Sequence, residues 1–259
     1  MKFLFQLPTW LGIVIVVVFV VVAGLLAITQ TRKRIQQHFT KQHEKVGRLL
    51  FRTSAGVIAL LISLSYANGR IEQNKLRDTM ELEASLIVNV FAKLQIYGTE
   101  DAFEIREKIR DYVQYTIEDN WEDVKANPFY SEGTGILISA LQAVYHLPTA
   151  TKTQEILKKD ILIEMNQISK LMQVRIYSQG TYTPFLIHIL FFGLFIVWMF
   201  FTVYKQNVIS LAFISLYNIF IAILIYFIFI MSNPLVGDLK MDAHSFSIIK
   251  TKGIDQKLK

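Results

Sequence analysis

The chain has 259 residues, 53% of them hydrophobic and 13% aromatic, with a formal net charge of +6 and no cysteine. Apolar residues in that proportion, gathered into long runs, mark a membrane protein rather than a soluble domain. The lack of cysteine excludes disulfides and thiol chemistry. The charge is uneven: residues 67–182 hold 13 Lys/Arg against 17 Asp/Glu, a formal −4, so the remainder carries +10. Basic residues beside apolar runs serve topology or anionic lipid, not nucleic acid.

In chain order, residues 8–29 are apolar for about 22 positions, enough to cross a bilayer. A cleaved signal peptide is the rival reading. It is disfavoured because the run is long for such a segment and its basic cluster follows it. Residues 30–52 are a basic connector, with Arg32, Lys33, Arg34, Lys41, Lys45, Arg48 and Arg52 against Glu44. Residues 53–67 form a second span, short and rich in small residues. No proline interrupts the chain from there to residue 94, so one helix of about 60 Å is expected to leave the bilayer and enter an aqueous domain.

That domain is placed at 68–182. Leu82, Leu86, Val90 and Leu94 recur at helical spacing. A second helix is expected over 99–125, capped by Thr99, ended by Asn127-Pro128, with Phe103, Ile109, Tyr112, Val113 and Ile117 inward. Gly133 and Gly135 are read as a loop. Helices then follow over 136–146, stopped before Pro148, and over 153–177, with Ile156, Leu157, Ile161, Ile168 and Leu171 inward. Nothing alternates like a strand. Gly180-Thr-Tyr-Thr-Pro184 breaks the chain, superficially like a potassium filter in composition but in the wrong order. Residues 185–204 and 208–231 are spans three and four, an antiparallel hairpin turned at Lys205-Gln-Asn207. A polar tail covers 232–259.

The fold class is therefore an all-α membrane protein: four transmembrane helices, a hairpin at 1–67 and another at 183–231, with a helical aqueous domain between spans two and three. The positive-inside rule puts 30–52 and Lys205 in the cytoplasm, with both termini and the aqueous domain outside.

The ordered set Leu7-Pro-Thr-Trp10, His38, Val46-Gly47, Glu83-Ala84, Arg110-Asp-Tyr-Val113, Glu118-Asp-Asn-Trp121, Arg175, Pro184, Trp198, Asn207 and Pro234-x-x-Gly237 resembles the bestrophin-like domain family of bacterial and plant membrane proteins. The likeness covers nearly the whole chain. Bestrophins are homo-oligomeric channels whose second span lines a central pore and runs on into an aqueous helical domain. The animal ones pass anions; a characterised bacterial one prefers cations. The resemblance thus implies an oligomeric channel built around residues 53–94, and it implies a cytoplasmic helical domain, opposite to the charge rule. This chain departs from the family at Ser232-Asn-Pro234-Leu235, where an acidic residue and a Phe are common.

On a helical wheel Gly56, Ala59, Ser63 and Ala67 share a stripe, which fits either close helix packing or a pore wall. Asn74 and Glu81 fall on the same face, with Asp78 about 60° away. In an oligomer Glu81 becomes a ring of carboxylates, which attracts cations; the bland alternative is a solvated face with an Arg77–Glu81 pair. These seven are the candidate pore-lining residues. Arg52 and Arg70 bracket the stripe and would favour anions if they faced the lumen.

Asn218 is expected to make an interhelical hydrogen bond, and His188 to lie at an interface. No acidic residue lies within a span, which argues against a proton-coupled transporter. No enzyme, cofactor or metal site is expected: His38 and His43 have only Glu44 nearby, no glycine loop precedes a helix, and Ser54-x-Gly56 is not a nucleophile elbow. The expected function is a homo-oligomeric, potassium-conducting channel of four or five subunits, a multi-pass protein of a bacterial inner (plasma) membrane. Its partners would be monovalent ions and membrane lipid. The alternatives are an anion channel, or a non-conducting protein whose helical domain binds a partner or senses the envelope.

Overall fold

The computed structural model describes residues 8–35, 40–118, 132–177, 184–202, 207–231 and 244–249. Every element among them is helical: α1 (Thr9–Ile35), α2 (Lys41–Tyr97), α3 (Glu100–Ile117), α4 (Glu132–His146), α5 (Lys152–Tyr177), α6 (Pro184–Phe201), α7 (Val208–Met231) and α8 (His244–Ile249). α3 ends at Ile117 with Glu118 as its C-cap, short of the expected 125; Asn127-Pro128, residues 180–183 of the expected break, Lys205 and Gln206 of the turn, His38 and the closing Pro234-x-x-Gly237 lie outside the described residues. Two compact units form, one from Met1–Ile71 and Gly180–Lys240, the other from Glu72–Gln179 and Met241–Lys259. α2 contributes to both.

In the first unit α1, α2 and α7 are long and apolar enough to cross a membrane; α6 is apolar but shorter over its described stretch, His188–Phe201. The chain has the build of an integral membrane protein. α1 packs on α7 and on α6, and α6 on α7. Val20, Ile28, Ile58, Ile62, Leu194 and Ile221 are among the core residues, with Trp198. Asn218 is wholly buried, and its Oδ1 accepts a 2.9 Å hydrogen bond from Trp198 Nε1, joining α7 to α6 as the polarity of that position predicts. Gly24 on α1 leaves room for this pair: a Cβ there would lie 2.6 Å from Asn218 Nδ2 and 2.9 Å from the Trp198 indole. α7 starts where Asn207 Oδ1 accepts from Ser210 N at 2.7 Å, an N-cap.

In the second unit Gly98 turns the chain at φ 72, a conformation glycine adopts without cost. The Thr99 hydroxyl then accepts from Ala102 N and starts α3, as expected. Thr151 and Gln154 form a capping box at the start of α5: Gln154 N donates to the Thr151 hydroxyl, and Gln154 Oε1 accepts from Thr151 N. Lys158 reaches back to cap the end of α4, donating to the carbonyls of Tyr145 and Leu147 at 2.9 and 2.8 Å. Leu76, Met80, Ile87, Val90 and Leu94 of α2 are buried, as are Ile105 and Ile109 of α3, Leu137 and Val144 of α4, and Ile161, Met165 and Ile168 of α5. Burying each such side chain contributes about 1.5–3 kcal/mol.

Several expectations are corrected. α2 begins at Lys41, so much of the supposed connector is helix. Gly133 and Gly135 lie inside α4, not in a loop. Gly133 is there because α4 crosses close to α3: a Cβ would come 2.7 Å from the Tyr115 ring. Phe103 and Ile156 are exposed rather than inward.

Candidate functional site

Within the first unit α2 has three sectors, each roughly a third of its circumference. Ile58, Ile62, Ser65 and Gly69 are buried. Ser65 is satisfied there by donating to the Leu61 carbonyl at 2.6 Å. Val57, Leu60 and Leu64 are exposed and large, suited to lipid. The third sector is Gly56, Ala59, Ser63 and Ala67, all exposed, and nothing comes within 4 Å of a Cβ built at Gly56. No helix of the protomer covers that stripe among the described residues. α1 makes the contrast: its exposed face is Val14, Val18, Phe19, Val22 and Leu26, uniformly bulky.

The same sector carries Arg70 at the end of the first unit and Asn74, Arg77, Asp78 and Glu81 in the second, all exposed. Glu81 is paired: Arg77 Nε donates to its Oε1 at 3.1 Å, both side chains being more than half exposed. At that exposure such a pair contributes about 0.3–0.5 kcal/mol, so water and ions can compete for either partner. Arg52 and Arg70 fall within about 20° of Ser63 on the wheel, and both are exposed. Thus the seven expected positions are all exposed on one sector of α2, and Arg52, Arg70 and Arg77 share it with them. His188 is exposed in the protomer, on α6.

Two residues beyond Glu81, on the opposite face, Glu83 is wholly buried. It is held by α3 and α5. Arg175 Nε donates to Glu83 Oε2 at 2.9 Å and Arg175 Nη2 to Oε1 at 3.0 Å. The Tyr112 hydroxyl donates to the same Oε1 at 2.5 Å and accepts from Arg175 Nη2 at 3.0 Å. The Phe246 ring of α8, also wholly buried, lies 5.6 Å from the guanidinium. Burial pushes the Tyr112 phenol well above its usual range, the Glu83 charge adds to this, and Arg175 opposes it. For Arg175, burial works to lower the value, but Glu83 and Tyr112 outweigh it and hold the guanidinium above its ordinary value.

In the sequence Glu83 and Arg175 stand only in motifs, Tyr112 in a motif and on an inward helix face, and nothing local joins the three. The available signal was register. Glu83 falls in the series Leu76, Met80, Glu83, Ile87, Val90, and Arg175 in the series Ile161, Met165, Ile168, Met172, Arg175. A charge in an inward series requires a partner, and the chain supplies one of each sign. This cluster is a buried lock between α2, α3 and α5.

A family model described as Bestrophin-like domain matches residues 17–246. No curated protein and no solved structure matches the chain significantly.

Proposed function

The chain belongs to the Bestrophin-like family, and from that premise we propose that it is a homo-oligomeric ion channel, four or five copies surrounding a pore lined by the uncovered stripe of α2. The family connects the chain to ion channels in general terms. The observation that carries the finer reading is the three-sector α2: a span that faced only lipid would have no use for Gly56, Ala59, Ser63 and Ala67 beside a separate bulky sector. Those small residues fit a narrow aqueous axis or the wall of a neighbouring copy, and an oligomer supplies both. α6 serves as the fourth span, and the protein sits in a bacterial plasma membrane.

Cations, with potassium the abundant candidate, are the proposed permeant ions. Asp78 and Glu81 repeat around the axis as carboxylate rings, and the weak Arg77 pair leaves Glu81 able to exchange partners. No enzymatic step is assigned to any residue.

An anion channel is the second reading, favoured by Arg52 and Arg70 on the same sector. Recording from purified protein in planar bilayers under potassium and chloride gradients separates the two. Unitary currents reversing near the potassium limit are expected. Reversal at the chloride limit overturns the cation assignment. Silence at all voltages favours a non-conducting protein whose helical unit binds a partner.

A further inference from the structure

Residues 32–52 carry seven Lys/Arg against one acid, Glu44. Three of them, Arg32, Lys33 and Arg34, form the last turn of α1. Three more, Lys45, Arg48 and Arg52, stand on the first turns of α2 and are exposed. Their spacing of three and four residues places them within about 60° of arc. Immediately beside them Leu49, Val46 and Leu50 occupy the adjoining ~100°, and these are exposed as well. The bulky strip continues into Val57 and Leu60, further along the span.

A topology signal needs only the number of positive charges. It does not need them on one face, nor a strip of bare leucine and valine next to them. That combination is the pattern of a helix lying where headgroups meet acyl chains. We infer that the first three turns of α2 bind an anionic phospholipid. Lys45, Arg48 and Arg52 take the phosphate oxygens of the headgroup, and one acyl chain runs along Leu49, Val46 and Leu50 toward Val57. A soluble phosphate compound would satisfy the basic face but would leave the apolar strip unused, which decides between the two sources. The site requires only that α2 crosses a membrane. Lys45 and Arg52 fall within about 20° of Ser63 on the wheel, so the headgroup lies at the membrane-surface end of the stripe, before the span at 53–67, and the test reads no current.

The test uses the full chain in detergent, incubated with equimolar phosphatidylglycerol and phosphatidylcholine and analysed by native mass spectrometry. Phosphatidylglycerol is expected to be retained at least about tenfold over phosphatidylcholine. Arg48→Gln and Arg52→Gln should each cut that preference about fivefold, the worth of one basic residue near an anionic surface. Val46→Ser with Leu50→Ser should weaken retention of both lipids. Equal retention of the two lipids by the unaltered chain overturns the proposal and needs no variant. Displacement of phosphatidylglycerol by equimolar glycerol phosphate overturns the lipid assignment in favour of a soluble anion. Undiminished preference in both arginine variants overturns the residue assignment.

Discussion

Replacing Arg175 by methionine leaves the wholly buried Glu83 carboxylate with the Tyr112 hydroxyl as its one remaining partner in the cluster. Two of the three hydrogen bonds on that carboxylate come from the guanidinium. Breaking a buried pair from one side costs about 3–5 kcal/mol, because the survivor stays desolvated. At roughly 3 °C per kcal/mol for a chain of this size, the unfolding midpoint should fall by about 9–15 °C. Glu83→Leu should cost as much, for the converse reason. The double variant is the discriminating one. With both charges gone, only the Tyr112 hydroxyl lacks a partner, worth about 1–3 kcal/mol, so the double variant should be more stable than either single. Adding Tyr112→Phe should recover most of what remains. Heating the purified protein while following circular dichroism measures all four. If the singles lose less than about 1 kcal/mol, or the double loses their sum, the three side chains are not the buried unit described and the reasoning fails.

Three further outcomes follow from named contacts. The Tyr112 phenol is held neutral above its ordinary range in the folded chain. Its contribution is therefore complete below about pH 10 and is lost as pH rises from there through the folded value, because only the unfolded chain ionises first. Thermal midpoints between pH 8 and 11 should drop less in Tyr112→Phe than in the unaltered protein, and equal slopes would contradict this. Gly24→Ala should destabilise by about 1–3 kcal/mol, since the new methyl meets Asn218 and the Trp198 indole. Gly56→Ala meets nothing within 4 Å in the protomer, so a loss of stability or of assembly there, read by heating and by mass photometry, reports a second copy at the stripe. In bilayers Glu81→Gln should move the reversal potential away from the potassium limit, and Arg70→Gln should move it toward that limit. If neither moves it, the aqueous part of the stripe is not on the ion path.

Much of the helical layout was legible because long apolar runs and caps are local signals. The bounds of α7, the Thr99 cap and the break before α5 follow from adjacent residues. The Trp198–Asn218 bond was half legible: a lone amide in an apolar span calls for a partner, and the partner's identity needed packing. Leu82 shares a helical spacing with Leu86, Val90 and Leu94, yet it is exposed, for a geometric reason. The series Leu82, Leu86, Val90, Leu94 advances in fours, and each such step overruns the helix by about 40°. Over three steps it drifts ~120°, from an exposed face to the buried one. The true inward series alternates fours and threes, from Leu76 through Met80, Glu83, Ile87 and Val90 to Leu94. The buried lock stayed hidden because its members lie 29, 63 and 92 residues apart, and no local pattern ties them together.

Glu81 and Glu83 give α2 its logic. Both are acids on one helix, yet one faces outward in a weak pair and the other is wholly enclosed. An enclosed carboxylate fixes the rotation of the helix about its own axis far more tightly than apolar packing does, since turning it by one residue's arc would break three charge-assisted hydrogen bonds at once. The register that Glu83 fixes is also the one that leaves Asn74, Asp78 and Glu81 exposed on the other side. The exposed face at Asn74, Asp78 and Glu81 is thus defined by its opposite, and Arg175, which touches none of the three, holds it in place.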